Sequence, residues 1–322
     1  MRAVVHDEFG PPQEVLELRD ISKPSIKDDE VLIRVRAAAA NWADWSNTMG
    51  QPYVVRPLYG LRRPRSGVRG TDVAGTVEAV GERVDQLQAG DDVLGWGTGA
   101  FAEYVAGKAG NFVPKPTSIS FEQAAAVPMA GLVALQAVRD IGKVQTGHKV
   151  LINGASGGIG TMTVQIAKAF GAEVTGVCST PNVDMVGSIG ADHVIDYTVE
   201  DYTESGLRYD LILDIADNHS LAANRRALTP NGTLIPNSGE GGRWFGSIGR
   251  IIKARIVSPF VSHKLRPFLS MPKREDLLAL TELIDAGEVT PVIDTAYELG
   301  ETPQAVGHVG TRHAQGKVVI TI

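Results

Sequence analysis

The stretch KVLINGASGGIGTMTVQIAKAFGAEVTGVCSTPN, Lys149 to Asn182, places four glycines within seven residues, between an apolar run and a helix-like run. Val150 to Ile152 reads as a buried strand, and Ile166, Ala167 and Phe170 keep helical spacing until Gly171 stops the helix. A strand, a glycine turn, a helix and a second strand in that order constrain the fold to a parallel sheet with helical crossovers. Ala155, Gly157 and Gly160 then take the three small-residue positions of a dinucleotide-binding loop. The first serves the tight turn, the second the approach of backbone to pyrophosphate, the third close packing of helix on strand. Free N–H groups at the helix start would face the phosphates.

The chain changes character near residue 120. Before it, alternating runs such as EVLIRVRA sit among Gly and Pro turns, as antiparallel strands do. After it, VLIN, EVTGVC, HVIDY, YDLILD and GTLIP are separated by helix-length segments. Past Thr290, VIDTAYEL and GKVVITI are β-like again. The expected organisation is α/β, with residues 1–120 and 290–322 forming one β-rich domain and residues 121–289 a doubly wound Rossmann domain inserted between its parts.

Composition narrows the function. A net charge of −6 provides no global field to recruit nucleic acid or an anionic membrane. The single cysteine, Cys178, fits a reducing compartment. No basic-then-apolar leader opens the sequence, and no apolar run is long enough to span a bilayer, so a cytoplasmic location is expected. GRWFGSIGRIIKARIVSPFVSHKL, broken by Arg250, Lys253 and Arg255, reads as a domain helix lining the cleft, whose glycines Gly239, Gly241 and Gly242 would let it close over cofactor.

Two other chemistries use the same letters. GASGG also fits the G-x-S-x-G nucleophile elbow of hydrolases, but no downstream Asp and His are marked as its partners. Tyr104 and Lys108 imitate the Tyr-x-x-x-Lys pair of short-chain dehydrogenases, yet they precede the glycine loop. The nucleotide is indicated by the end of the second strand, where Cys178-Ser179-Thr180-Pro181-Asn182 lacks the carboxylate that usually holds a free ribose 2′-hydroxyl. Ser179 and Asn182 read equally well as helix caps.

GTDVAGTVEAVG, AAAVPMAGLVALQAV, NGASGGIGTMTVQIAKAFGAEV, GADHVIDY and GKVVITI, in that order over the full length, resemble the zinc-free quinone oxidoreductase (zeta-crystallin-type) branch of the medium-chain dehydrogenase/reductases. The resemblance implies a GroES-like catalytic domain, a Rossmann domain and a nicotinamide in the cleft between them. It places Ser156, Gly157, Gly158, Ile159 and Gly160 on the pyrophosphate, and Ser179, Asn182 and Tyr197 around the adenosine phosphate of NADPH. Asn182 stands where some relatives have lysine. GTRHAQGK resembles a cofactor-reaching GHARGK pattern, with His313 kept and Gln315 in place of arginine. Gly239 belongs to the expected cofactor set, and a homodimer is the default assembly.

The same comparison finds no zinc ligands. NWAD, with Asn41, and GTD, with Thr71 and Asp72, stand where zinc relatives supply cysteine and histidine. Catalytic candidates are then Asn41, whose amide would meet a substrate carbonyl or the nicotinamide, and Tyr53 as a proton donor. Asn41 reads equally as a helix N-cap with Asp44. Trp42, Trp45, Trp96 and Trp244 favour a flat apolar electrophile. The expected function is NADPH-dependent hydride transfer to quinones or conjugated enones. A zinc-independent carbonyl reductase and a cofactor-binding protein with little turnover remain as alternatives.

Overall fold

The computed structural model describes residues 1–64, 67–237, 242–246 and 248–322. The chain forms two compact units: 1–132, 272–286 and 291–322 in one, and 133–271 with 287–290 in the other.

Seven strands open the first unit: β1 (Arg2–Val5), β2 (Glu17–Asp20), β3 (Glu30–Ala40), β4 (Asp72–Val80), β5 (Asp92–Trp96), β6 (Tyr104–Lys108) and β7 (Phe112–Pro114). The second unit holds β8 (Lys149–Asn153), β9 (Glu173–Cys178), β10 (His193–Asp196), β11 (Tyr209–Asp214), β12 (Leu228–Pro236) and β13 (Lys264–Leu265). The tail adds β14 (Ile293–Glu298) and β15 (Lys317–Thr321) to the first.

In that first unit the sheet order is β14-β15-β3-β4-β5-β7, with β6 also on β3. β3 is central, and its alternation is nearly lost at Ala37–Ala40, where all four residues are buried. There β15 pairs antiparallel, Val318 opposite Ala40, which seats Lys317 at the end of β3. The core joins Val31, Ile33, Val73 and Val93 to Phe101, Phe112, Val318 and Ile320.

The second unit is an all-parallel sheet, β10-β9-β8-β11-β12-β13. Successive strands run outward from β8 to β10, then β11 returns to the other side of β8. The strand order therefore reverses between β8 and β11, and the carboxyl ends of these two strands form the topological switch point.

Residues 121–132 and 272–286, which the sequence assigns to the inserted part, pack with the β-rich unit. The reason is apolar burial. Helix Arg274–Asp285 follows the last strand of the parallel sheet and buries Leu277, Leu280 and Ile284, with Leu280 against Gly131.

Candidate functional site

The glycine loop has the anatomy of a phosphate cradle. Helix α1 (Gly158–Ala169) starts at Gly157, whose φ of −80° and ψ of 174° leave the first N–H groups of the helix without intrahelical acceptors. The left-handed turn falls at Gly154, φ +91°, rather than at Ala155. Ala155 is buried and fills space against Gly176 instead. A Cβ at Gly160 would stand 2.1 Å from the Gly154 carbonyl oxygen, so this glycine is required for helix-on-strand contact. A Cβ at Gly157 would meet nothing nearer than 3.8 Å, which leaves the loop open where a ligand's backbone approach is needed. These features fit a bound dinucleotide.

Two of the adenosine-side candidates, Ser179 and Asn182, come together with Ser156 of the pyrophosphate set. The buried Asn182 donates its amide to Ser179 Oγ at 3.1 Å and to Ser156 Oγ at 3.3 Å, linking the glycine loop to the end of β9. Neither Ser179 nor Asn182 caps a helix with its side chain. The Asn182 carbonyl oxygen is buried without a hydrogen-bond partner. Tyr197 is exposed, and its backbone N–H donates to Cys178 O.

A carboxylate that the sequence does not reveal also stands here. β10 pairs with β9 so that Asp196 lies opposite Cys178, one residue before Ser179. Its carboxylate accepts from the Thr198 N–H and hydroxyl at 2.9 and 2.8 Å. Hydrogen bonding from Thr180, above all, holds it below the usual carboxylate range. The end of the second strand carries no acid of its own, but the third strand sets one beside it, and only strand register locates it. Burial, with Asp196 beside it, pushes the Cys178 thiol up to about 11, so Cys178 is an inert core group.

Gly239 lies outside the described residues. His313 and Gln315 belong to the β-rich unit, on the exposed turn before β15, where Gln315 N donates to Asp294 Oδ2 at 2.9 Å.

Asn41 begins helix α2 (Trp42–Met49). Half of the expected capping box is present: the Asn41 N–H donates to Asp44 Oδ2 at 2.8 Å. The Asn41 side chain turns elsewhere, to two groups brought by β4 and β15. Its carbonyl oxygen accepts from Lys317 Nζ at 2.6 Å, and its amide donates to Asp72 Oδ2 at 3.1 Å. Lys317 also reaches Asp72 Oδ2 at 3.2 Å, while Asp72 Oδ1 accepts the Met129 N–H. A cation on one side and an anion on the other permit only one orientation of the Asn41 amide. These two contacts engage the Asn41 carbonyl oxygen and one of its two amide N–H groups. Tyr53 lies under the Arg56 guanidinium at 4.8 Å. Trp42 and Trp45 pair at 5.7 Å, with Arg312 above Trp42.

Lys317, Asp72 and Asp44 are buried. Burial pushes the Asp72 carboxyl up, against the pull of Lys317. It pushes Asp44 up to about 6, against the Asn41 N–H. For Asp44 the folded value exceeds the ordinary 3.8, so its contribution to stability is present below pH 3.8 and is lost as pH rises through 6. Relative to the parent, Asp44→Asn is therefore expected to gain roughly 2–3 kcal/mol between about pH 4 and pH 7, measured by urea unfolding. The parent is the reference because His6 acts in the opposite sense. Burial lowers His6 to about 4, and its contribution is lost as pH falls below 6.5.

Residues 189–320 match the family described as zinc-binding dehydrogenase, and residues 27–117 the alcohol dehydrogenase GroES-like domain. The donor set at Asn41, Thr71 and Asp72 does not fit the zinc that the first description implies. It offers no thiolate or imidazole, and its carboxylate is held by an ammonium. Among the described residues no group of three or more His, Cys, Asp or Glu could hold a metal ion.

The chloroplast envelope quinone oxidoreductase homolog of Arabidopsis thaliana is 31% identical, over 99% of this chain and 98% of its own. Human mitochondrial NAD(P)H oxidoreductase RTN4IP1 is also 31% identical, over 100% of this chain and 89% of its own. The solved quinone oxidoreductase of Coxiella burnetii superposes with a TM-score of 0.88 at 28% identity, over 100% of this chain and 99% of that one. The chain belongs to the quinone oxidoreductase-like medium-chain dehydrogenase/reductases, with their GroES-like β domain and parallel Rossmann sheet, and is an oxidoreductase.

Proposed function

We propose that the protein is a zinc-independent, NADPH-dependent oxidoreductase of the cytoplasm that reduces quinones or conjugated enones. The observation that carries this reading is the Asn41 amide clamped between Lys317 and Asp72, whose second N–H would meet substrate. One neutral donor stabilises a localised alkoxide poorly. It suffices where the substrate spreads the arriving charge over a conjugated system. When bound, the nicotinamide supplies the hydride. The glycine loop and the start of α1 bind its phosphates, and Asn41 orients the acceptor oxygen. The likeness to the Arabidopsis quinone oxidoreductase homolog and the human NAD(P)H oxidoreductase supports the quinone and nicotinamide parts of the reading.

The test is kinetic. kcat/KM for quinones and α,β-unsaturated carbonyls is expected to exceed that for saturated aldehydes and ketones by at least about tenfold, roughly 1.4 kcal/mol in transition-state stabilisation. The activity should persist in strong chelators. Preference for saturated carbonyls would overturn the reading in favour of a carbonyl reductase.

The neutral hydroxyls of Ser156 and Ser179, which accept from Asn182 and so keep their own protons to donate, support NADPH, whereas Asp196 limits the preference. Ser179→Asp is expected to weaken NADPH by roughly 1–3 kcal/mol while weakening NADH less, and Asp196→Asn to shift selectivity toward NADPH. Equal losses of both cofactors in Ser179→Asp would remove the 2′-phosphate assignment.

A further inference from the structure

Net charge argues against a membrane partner, but charge is not evenly distributed along this chain. From Gly242 to Met271 there are six Lys or Arg and no Asp or Glu, in a protein of net charge −6. This segment contains helix α3 (Ile248–Val257). One face of α3 is committed to the parallel-sheet unit. Arg250 is ion-paired to the buried Asp214 and to Asp217, Ala254 is fully buried, and Val257 packs on the core of that unit. The spacing of 250, 254 and 257 makes this a single stripe.

The opposite face is apolar yet exposed. Ile252 and Ile256, one turn apart, are 50% and 61% exposed, and Phe260, in the turn that follows, is 84% exposed. Phe245, at the end of the short helix Gly242–Phe245 that precedes α3, is 54% exposed. Lys253 and Arg255 flank the two isoleucines, and Arg243, Lys264 and Arg266 extend the cationic field, all on exposed positions. The combination of exposed bulky apolar groups with cations of one sign, and with no acidic residue among them, has a definite complement. A protein partner of mixed charge would leave some of these cations facing like charge. A surface of phosphates over an apolar layer satisfies both halves of the pattern at once. α3 is too short and too charged to span a bilayer, and no helix among the described residues is long and apolar enough to do so. A helix with this pattern lies in the interfacial plane.

We propose that the α3 face docks on an anionic lipid bilayer, with Ile252, Ile256 and Phe260 entering the interfacial layer and Lys253 and Arg255 meeting lipid phosphates. This docking is independent of the proposed reaction and would hold for any substrate.

The test is co-sedimentation of this 322-residue chain with large vesicles of phosphatidylcholine containing about 30 mol% phosphatidylserine, and with phosphatidylcholine alone. Partitioning is expected to be at least about tenfold stronger on the anionic vesicles and to fall at least about tenfold between roughly 0.1 and 0.5 M NaCl. Lys253→Glu/Arg255→Glu should abolish it. Ile252→Ser/Ile256→Ser should weaken it at low salt, where charge alone would still hold. Circular dichroism and the melting temperature of each variant establish that it is folded. Absence of binding, equal binding to both vesicles, or binding unchanged in a folded Lys253→Glu/Arg255→Glu variant would overturn the proposal. So would a parent that ignores vesicles and is a dimer in sedimentation equilibrium while Ile252→Ser/Ile256→Ser is monomeric. That result would make the face an interface between copies of the chain.

Discussion

Replacing Lys317 with methionine is expected to destabilise the protein by about 3–5 kcal/mol at neutral pH, although methionine nearly conserves the volume. The cost comes from what is left behind. Asp72 is buried, and Lys317 supplies its positive partner at 3.2 Å; without it an ionised carboxylate is left with the neutral Asn41 amide and Met129 N–H. Because burial already pushes Asp72 up, the carboxyl can take a proton in the variant. The loss should therefore shrink as pH falls. Denaturant unfolding of Lys317→Met and Lys317→Met/Asp72→Asn separates the contributions. The double variant should recover much of the stability, since no lone charge is buried. It should not recover kcat, because the Asn41 amide has lost the cation that orients it. Recovery of both would reduce Lys317 to a purely structural ion-pair partner.

Gly160→Ala is expected to cost about 3 kcal/mol and to lower NADPH affinity with it, because the added methyl would meet the Gly154 oxygen at 2.1 Å and the Ala155 carbonyl carbon at 2.7 Å. These are backbone atoms of the turn, so relief requires moving α1 away from β8. Gly157→Ala provides the contrast. Its φ of −80° is open to alanine and its Cβ would meet no atom within 3.8 Å, so stability should hold while nucleotide affinity falls. Thermal unfolding and titration with NADPH measure the two quantities separately. A Gly157→Ala protein that binds normally would show that phosphates do not approach the loop there.

What the sequence made legible was local. The glycine loop, its strand and its helix announce themselves because their signals lie within a few residues of one another, and so do the alternating strands of the other unit. Lys317 shows why other parts were not. In GKVVITI it reads as the polar start of a strand, and only the antiparallel register of β15 on β3 buries it beside Asn41. Asp196 is similar, since the parallel register of β10 on β9 sets it next to Ser179 from 17 residues away. The NWAD motif reads as a cap, and Asp44 does accept the Asn41 N–H, yet the asparagine side chain answers to a stronger pair of charges. Helix Arg274–Asp285 joined the β-rich unit for a reason no periodicity contains, namely which neighbour offered its leucines a partner.

The interleaving of the two units also fixes an order of manufacture. On the ribosome, β3 and β4 emerge early with Ala37–Ala40 and Asp72 in place, but the strand that seats beside them, β15, is made only after the whole parallel-sheet unit. Until then the nascent β-rich unit carries an open sheet edge at β3 and an acid without its counter-charge, while the parallel-sheet unit, drawn almost entirely from one continuous stretch, has everything it needs to fold. The inserted unit can thus mature first and the older part of the chain must wait, so that the Asn41 clamp is completed only when Lys317 arrives.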